Sequence, residues 1–304
     1  PRFAHAADVL RIVWSRDGGL TWGERKSYES QSTSNLTLPS GELLLLPFHL
    51  CRTADGMSGA ATLIDSQGEC KRAAAPVTVT GWPRPDGPVS FYPAYDLETA
   101  KAQKRAFFYF DGQTIRLKNG RYLAALYGTF QGAKRYSVVS AESDDGFRWR
   151  YRTVIADERC ALTGSEGPCE ATLTRLKDGR LMCLFRVVSN TPYGCTFSSD
   201  EGATWSAPTS LGKVGSVEPS LITLLDGTVL LSGGRPSLSL WANARGDGAS
   251  WSSLDLIVHH NLFHNDEALQ PNTPQYPAYG GGRSSSYTEL IALDAETALC
   301  VYDR

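Results

Sequence analysis

The 304-residue sequence lacks several features that would place it in a specialised class of protein. No apolar run approaches the roughly 18 residues that suggest a membrane-spanning helix. No Cys-x-x-Cys pair occurs, so a zinc or redox motif is not supported. Positive charge is not in excess either, because the net charge is -2, and this argues against nucleic-acid binding. We therefore predict no membrane span, no nucleic-acid partner, no metal and no cofactor.

Cysteine is present in an odd number, seven, so the cysteines cannot all pair within the chain. Cys183 and Cys300 lie in apolar runs, which is typical of buried free thiols. Cys160 and Cys169 flank a short loop and could pair in an oxidising compartment. The sequence opens at Pro1 without a signal-peptide pattern, and we expect that an upstream segment has been removed or left out.

What the sequence does contain is a repeated turn. Residues 15–22 read SRDGGLTW, and SSDEGATW at 198–205 matches them as S-x-D-x-G-x-T-W. SDDGFRW at 143–149 is one residue shorter, and ARGDGASW at 244–251 is a degraded copy. Each copy follows an alternating apolar segment, which predicts a β-strand running into a tight turn. We expect the Asp to cap the turn through nearby backbone and the Trp to pack between sheets.

A second hairpin recurs upstream of each turn. It consists of an alternating strand, a short turn that ends in glycine, and an apolar strand. The turn glycines are Gly41, Gly120, Gly179 and Gly227, and Glu296 takes that place in a fifth copy. Glycine suits a hairpin turn that needs positive φ. Two hairpins make a four-stranded unit, and serial units of this kind are typical of a β-propeller.

The repeat predicts a single all-β propeller domain over residues 1–304. An insertion at about 71–110 would contain the helix-like run DLETAKAQKRA. We count four full units, an outer hairpin at the N-terminus and an inner hairpin at the C-terminus. These two fragments could complete one blade and close a five-bladed ring. Alternatively, they belong to two blades of a six-bladed ring.

The repeat also predicts which side chains meet at the centre. The residue nine positions before each turn glycine, or before Glu296, is polar in every unit. These residues are Ser32, Asp111, Glu170, Glu218 and Tyr287. Equivalent positions in a propeller lie at equivalent radius and height. We therefore expect the five side chains to converge at one end of a central channel.

Two arginines end otherwise apolar strands. Arg186 is seven residues after Gly179, and Arg235 is eight residues after Gly227. An arginine in such a place needs an anionic partner or an anionic ligand. The sequence leaves open whether that partner is a substrate or an internal carboxylate, Glu170 or Glu218.

The repeated turns, each after an inner L-x-D-G hairpin, resemble those of the sialidase superfamily, the Asp-box or bacterial neuraminidase repeat proteins. The resemblance covers most of the chain and implies a six-bladed propeller with its active site at the central mouth. It further implies a secreted or periplasmic location. By the same resemblance, Tyr287 matches the nucleophile and Glu170 the base that activates it. Arg186 and Arg235 match arginines that grip the substrate carboxylate.

Some positions depart from the family pattern. The F/Y-R-I-P stretch of the first blade is absent, and no early-loop Asp matches the family's acid/base residue well. Asp111 is our candidate for the acid, on the geometry of the repeat. Glu218 is assigned to substrate binding.

These features predict a sialidase-like exo-glycosidase that hydrolyses terminal acidic sugars from glycans. A tyrosine nucleophile suits sialic acid, because the carboxylate on the anomeric carbon would repel a carboxylate nucleophile. Two alternatives stay open. One is an exo-glycosidase of the same fold that uses Glu170 and Glu218 as a carboxylate pair on a non-sialic sugar. The other is a non-catalytic propeller that binds glycan or protein.

The run VHHNLFHND holds His259, His260 and His264. Two or three histidines at this spacing can bind a metal, but we find no helix or strand pattern around them. We assign them to a substrate-facing loop between the last two blades rather than to a metal site.

Overall fold

The structure is a computed structural model that describes residues 10–28, 32, 34–82, 88–89, 108–130, 133–162, 164, 166–188, 191–264, 268–270 and 287–302. Strands dominate its regular elements, which confirms the predicted all-β class. No helix in these ranges is long and apolar enough to cross a membrane. The helix-like run at 96–106 falls outside the described residues.

The first half of the chain forms one small hairpin and one large sheet. Its strands are β1 (Leu10–Ile12), β2 (Lys26–Tyr28), β3 (Asn35–Thr37), β4 (Leu43–Leu45), β5 (His49–Thr53), β6 (Gly56–Ile64), β7 (Cys70–Thr80), β8 (Pro88–Val89), β9 (Phe108–Arg116), β10 (Tyr122–Phe130), β11 (Ser137–Ser143) and β12 (Arg148–Ala156). β1 pairs only with β2 among the described strands, and β3 to β12 belong to the large sheet.

Seven strands of the large sheet close into a barrel. They pair in the order β5-β9-β10-β11-β12-β7-β6, and β6 pairs back with β5. The β7–β12 contact is parallel and the others are antiparallel. The first two predicted units are therefore joined edge to edge and do not stand as separate four-stranded blades. The long β6–β7 hairpin explains this difference. Its two outer edges would otherwise be unpaired, and they pair instead with β5 and with β12.

The second half of the chain follows the predicted repeat more closely. Two separate four-stranded antiparallel sheets, β13 to β16 and β17 to β20, each have their strands in sequence order, and a final hairpin follows them. The elements are β13 (Cys169–Arg175), β14 (Leu181–Arg186), β15 (Gly194–Ser198), β16 (Thr209–Ser210), β17 (Ser220–Thr223), β18 (Val229–Gly233), β19 (Ser239–Asn243), β20 (Ser252–Asp255), α1 (Leu256–Phe263), β21 (Thr288–Ala292) and β22 (Ala298–Tyr302).

The repeated S-x-D turns are held by their own side chains. Asp17 Oδ1 accepts a hydrogen bond from Thr21 N at 2.9 Å, and Asp200 Oδ1 accepts one from Thr204 N at the same distance. Each carboxylate also accepts a hydrogen bond from the threonine hydroxyl, and this is the main reason that the pKa of Asp17 and of Asp200 is lowered to about 2. These aspartates are therefore structural caps, as the sequence predicts.

Each turn also packs against the second inner strand of the neighbouring unit. A β-carbon on the turn glycine would lie 2.9 to 3.1 Å from a side chain of that strand, so a larger residue would displace that side chain, and the positive φ of these glycines adds strain. The contacting pairs are Gly146 with Leu44, Gly202 with Leu123, Gly248 with Met182, and Gly19 with Leu299. The last pair joins the N-terminal hairpin to the C-terminal one, so the two ends of the described chain meet.

The inner strands lie side by side in chain order. β9 packs against both β3 and β13, β13 packs against β17, and β17 packs against β21. Apolar cores fill the spaces between consecutive sheets, such as the one in which Leu123 of β10 meets Cys183 and Phe185 of β14. The turn glycines of the four inner hairpins have φ between 83° and 94°, as predicted. This regular packing brings the starts of the inner strands together.

Candidate functional site

The five predicted channel residues lie close together at or near the starts of the inner strands. Ser32, Glu218 and Tyr287 line one cavity of about 560 Å³. Asp111, on β9, is 3% exposed. Asp111 and Glu170 are near enough to Glu218 for their charges to raise its pKa. The structure thus groups side chains that are more than 250 residues apart in sequence, from Ser32 to Tyr287.

Two of these residues have a strained backbone. Glu170 has φ 43° and Glu218 has φ 37°, in the left-handed region that favours glycine. Glu170 lies where the register of β13 against β14 shifts, between Cys169 and Ala171. Among the described residues other than glycine, Ala74 and Glu201 also have positive φ. Such strain costs about 1–3 kcal/mol for each residue, so the surroundings must impose it.

Residues 216–218 show how the surroundings impose this conformation. Ser216 Oγ accepts a hydrogen bond from Arg235 N at 3.0 Å. Val217 O accepts one from the hydroxyl of the buried Tyr193 at 3.1 Å. Glu218 N donates to Glu170 Oε2 at 2.8 Å. Each of these three consecutive residues therefore forms a hydrogen bond to a different segment. The bond from Glu218 N to Glu170 places the two strained glutamates side by side.

Arg186 is 8% exposed and pairs with two carboxylates inside the protein. Its Nη2 lies 2.7 Å from Glu170 Oε1 and 2.9 Å from Glu166 Oε2, and its Nε lies 2.7 Å from Glu170 Oε2. The internal partner that the sequence left open is thus Glu170. Glu166, from the preceding loop, was missed, because a glutamate in an irregular loop has no repeat to align it.

Cys169, next to Glu170, is not in a disulfide. Both Cys160 and Cys169 are free thiols, so the pairing that the sequence allowed does not form. Cys169 is buried and its Sγ lies 3.6 Å from Arg186 O, to which it donates. Burial raises the pKa of this thiol well above its usual value. Its role is to pack beneath the Arg186–Glu170 pair.

Arg235 lies over the ring of Tyr287. The guanidinium carbon is 5.2 Å from the ring centroid, within the range of a cation–π contact. Arg235 is held by its backbone, because its N–H donates to Ser216 Oγ and its carbonyl accepts from the same hydroxyl. The arrangement places a cation directly beside the predicted nucleophile.

Glu218 is enclosed by protein on most sides but is reached by solvent through the cavity. Burial raises the pKa of its carboxyl well above the usual 4.5, and the negative charges of Asp111, Glu170 and Glu289 raise it further. The positive charge of Arg235 acts in the opposite direction. Glu218 therefore keeps its proton to a higher pH than an ordinary glutamate.

Glu289 is a member of the group that sequence reasoning missed. It lines the same cavity as Glu218 and Tyr287. Its Oε1 accepts hydrogen bonds from Gln113 Nε2 and from Ser220 Oγ, each at 2.9 Å. Desolvation by the protein around it raises the pKa of this carboxyl, although the side chain is partly open to solvent and the two donors oppose the shift. Its position two residues after Tyr287 was an available signal, because side chains two apart in a strand share a face.

A family model described as a BNR repeat-like domain matches residues 85–297. The chain belongs to the BNR repeat-like family. This confirms the predicted resemblance to the sialidase superfamily, to which these repeats belong. No curated protein matches the sequence significantly.

Solved structures share the fold of this BNR repeat-like chain at low identity. A protein of unknown function from Dyadobacter fermentans has a TM-score of 0.63 at 19% identity, over 95% of this chain and 78% of its own. The Hadza microbial sialidase Hz136 has a TM-score of 0.58 at 16% identity, over 96% of this chain and 56% of its own. A variant of the α-L-arabinofuranosidase Arb93A from Fusarium graminearum has a TM-score of 0.58 at 14% identity, over 96% and 79%. These similarities show the fold alone.

The histidine run of the BNR repeat-like chain is not a loop, as we had predicted, but mostly a helix. Helix α1 begins after Asp255, whose carboxylate accepts hydrogen bonds from Ile257 N and Val258 N and so caps the helix. This local cap starts a helix that apolar periodicity did not reveal. His260 Nδ1 lies 2.7 Å from the hydroxyl of Tyr302.

In the part of the chain that the structure describes, no cluster of His, Cys, Asp and Glu could hold a metal.

We expect Glu218→Gln to stabilise the BNR repeat-like protein at neutral pH. Folding raises the pKa of this carboxyl, so the protonated side chain makes its full contribution to stability below the pKa that it has in the unfolded state. This contribution is lost as the pH rises through the pKa that it has in the folded state. Glutamine never ionises, so the gain should be small at pH 4 and larger at pH 8, by about 1.4 kcal/mol for each pKa unit of the shift. Urea unfolding at both pH values measures it. The exposed Glu296→Gln is the control, and an equal gain at pH 4 and pH 8 would contradict the prediction.

Proposed function

We propose that this chain is a sialidase-like exo-glycosidase that hydrolyses terminal acidic sugars from glycans. The observation that carries the proposal is that Tyr287 and the strained Glu218 line one cavity. Arg235 lies over the Tyr287 ring, and the strained Glu170 accepts a hydrogen bond from Glu218 N. Strained backbone at non-glycine residues clusters at functional sites, because structure alone gains nothing from it. The similarity to a sialidase agrees with the proposal but supports only the fold.

In the proposed reaction, the Tyr287 hydroxyl attacks the anomeric carbon and loses its proton to Glu170, while the glycosidic bond breaks. Water then attacks the anomeric carbon and breaks the tyrosyl–sugar bond. Glu170 returns its proton to the tyrosine oxygen, and the proton lost by water goes to the residue that protonated the leaving alcohol. A neutral hydroxyl approaches an anomeric carbon that bears a carboxylate without the repulsion that a carboxylate nucleophile would meet. The guanidinium of Arg235 would bind the substrate carboxylate beside Tyr287.

The leaving alcohol needs a proton, and we propose that Glu218 donates it. The sequence had suggested Asp111 as the acid and Glu218 as a binding residue. Asp111 is 3% exposed, which leaves a sugar little access to it. Glu218 borders the cavity and has a raised pKa, which suits a general acid near neutral pH. Asp111 would act through its charge, which helps Glu218 to keep its proton.

Arg186 has a different role in this proposal from the one that the resemblance implies. Two carboxylates, Glu166 and Glu170, already accept its hydrogen bonds. We propose that Arg186 orients Glu170 as the base, because its Nη2 and Nε each lie 2.7 Å from an oxygen of the Glu170 carboxylate. We propose that Arg235, which lies over the Tyr287 ring, is the arginine that contacts the substrate.

We further propose that the sheets form a six-bladed ring around the site. The inner strands pack side by side from β3 to β21, and every repeated turn packs on the neighbouring unit in one direction. The N-terminal turn does so against the C-terminal hairpin, through Gly19 and Leu299. That contact supports the reading in which the two terminal hairpins belong to two adjacent blades.

A second candidate function has its own supporting observation. Five acidic side chains surround only two arginines in the described part of the site: Asp111, Glu166, Glu170, Glu218 and Glu289, against Arg186 and Arg235. Such an excess of acid suits a neutral sugar better than an anionic one. In that case Glu170 is the nucleophile and Glu218 the acid, as in glycosidases with paired carboxylates.

The test is hydrolysis of a panel of fluorogenic glycosides by the purified protein. The panel contains an α-sialoside, a uronic-acid glycoside and neutral glycosides that include an α-L-arabinofuranoside. We expect the kcat/KM for the sialoside to be at least about tenfold above that for the other glycosides. One ion pair to the substrate carboxylate contributes about this factor. Preference for a neutral glycoside would support the carboxylate pair instead. No hydrolysis by folded protein would overturn the proposal and favour a non-catalytic binding propeller.

A further inference from the structure

A second set of polar residues lies next to the proposed catalytic residues. Each member follows one of the five predicted channel residues by two positions. The set consists of Ser34, Gln113, Thr172, Ser220 and Glu289. Glu289 is the one ionisable side chain among these five. We call this set the second ring.

Hydrogen bonds join members of the second ring across strands. Gln113 N donates to Thr172 Oγ1 at 3.3 Å, which links β9 to β13. Gln113 Nε2 and Ser220 Oγ both donate to Glu289 Oε1, which links β9 and β17 to β21. The Gln113–Glu289 bond joins residues that are 176 positions apart. Glu289 is therefore the point at which three inner strands meet.

The direction of each hydrogen bond shows why an acceptor is needed here. Ser220 Oγ accepts a hydrogen bond from Leu290 N at 2.9 Å, and its own proton is directed to Glu289. Gln113 presents its amide N–H groups to the same carboxylate oxygen. Both neighbours thus donate, and a residue without an acceptor oxygen at position 289 would leave both donors without this partner.

We propose that Glu289 is a positioning residue of this site: by tying β21 to β9 and β17, it holds Tyr287 in register with Glu170 and Glu218. The inference rests on the proposed function, since it concerns the geometry of that reaction. Tyr287 immediately precedes β21, whose ladder begins at Thr288, and its ring also contacts Arg235. Its backbone position depends on how the start of β21 is anchored. Thr288 Oγ1 lies 2.8 Å from Ser232 Oγ, and Glu289 and Leu290 are both anchored through Ser220.

The test compares Glu289→Gln with Glu289→Leu. Glutamine keeps an acceptor oxygen, so its kcat should stay within about threefold of the wild-type value. Leucine removes the acceptor, and a displaced nucleophile should lower kcat about a hundredfold with little change in KM. Gln113→Ala should lower kcat in the wild-type background but not further in Glu289→Leu, because its partner is already absent. Ile291→Ala, an exposed position on the same strand, is the matched control.

The possible results separate this inference from the proposed function. If Glu289→Leu is as active as the wild type, the positioning role is overturned while the function stands. If Glu289→Gln loses as much activity as Glu289→Leu, Glu289 transfers a proton itself and the positioning role is again wrong. Amide hydrogen exchange at Leu290 gives a readout without activity: it should be faster in the leucine variant only. If amide hydrogen exchange at Leu290 is unchanged in Glu289→Leu, Glu289 does not anchor the start of β21. That conclusion would hold even if the wild type hydrolyses no glycoside.

Discussion

Replacing Tyr287 with phenylalanine is expected to lower kcat at least about a thousandfold, because the substitution removes the attacking oxygen and leaves no equivalent nucleophile. KM should stay within about threefold, since phenylalanine keeps the ring that lies 5.2 Å from the Arg235 guanidinium. Steady-state kinetics on the preferred glycoside of the panel measure both values. A fall in kcat with little change in KM indicates a lost nucleophile, whereas a rise in KM indicates a lost binding contact.

The matched control for Tyr287→Phe is Tyr122→Phe. Tyr122 lies on β10, away from the cavity, and its hydroxyl bonds to Arg116 and to Thr37 O. The same chemical change there should lower stability and leave kcat unchanged. Wild-type kcat in Tyr287→Phe would show that tyrosine is not the nucleophile. The carboxylate pair of Glu170 and Glu218 would then become the better explanation of any hydrolysis.

Replacing Glu170 with glutamine is expected to lower kcat about a thousandfold as well, within the range that general-base catalysis contributes. Glutamine can still accept hydrogen bonds from Arg186 and from Glu218 N, so the fold should be retained. It cannot take the proton of Tyr287. Steady-state kinetics on the same glycoside measure the loss, and wild-type kcat in Glu170→Gln would show that Glu170 is not the base.

Glu170→Ala adds a stability effect to the loss of activity. Without the Glu170 carboxylate, Arg186 still pairs with Glu166, whose side chain is 37% exposed. Removing one partner of a buried charge pair costs 3–5 kcal/mol, and the remaining partner should reduce this to about 2 kcal/mol. Urea unfolding measures the loss. If Glu170→Ala is as stable as the wild type, Arg186 does not depend on this carboxylate.

Glu142→Gln is the control for both Glu170 variants. Glu142 also pairs with two arginines, Arg121 and Arg152, but it lies on β11. The substitution removes a similar ion-pair network at a distance from the cavity. We expect a small loss of stability, because Arg121 is largely exposed, and no change in kcat.

The local features of this chain could be predicted from sequence because their causes are local. The S-x-D turns form their hydrogen bonds within five residues, as Asp17 and Asp200 show, so the pattern alone reveals them. The inner-hairpin glycines need positive φ for the same local reason. Once these turns fix the repeat, simple counting aligns Ser32, Asp111, Glu170, Glu218 and Tyr287.

Other features depend on neighbours that are distant in sequence. The joining of β5 to β9 and of β7 to β12 depends on which free edge lies closest after folding, and the repeat contains no sign of it. Helix α1 was missed because one capping residue, Asp255, decides it rather than a periodic apolar face. Glu166 and Glu289 were missed because each has a role only through partners on other strands.

The sequence by itself determined the all-β class, the repeating hairpins and the set of polar residues that start the inner strands, since all three follow from short-range periodicity and turn chemistry. The tertiary structure alone decided how those residues are paired and charged. It set Arg186 between two carboxylates, raised the pKa of Glu218 by burial among other acids, and made Glu289 the junction of three strands. The reason is physical: burial and electrostatic coupling depend on distances between strands that are far apart in sequence, and those distances exist only after the strands have packed.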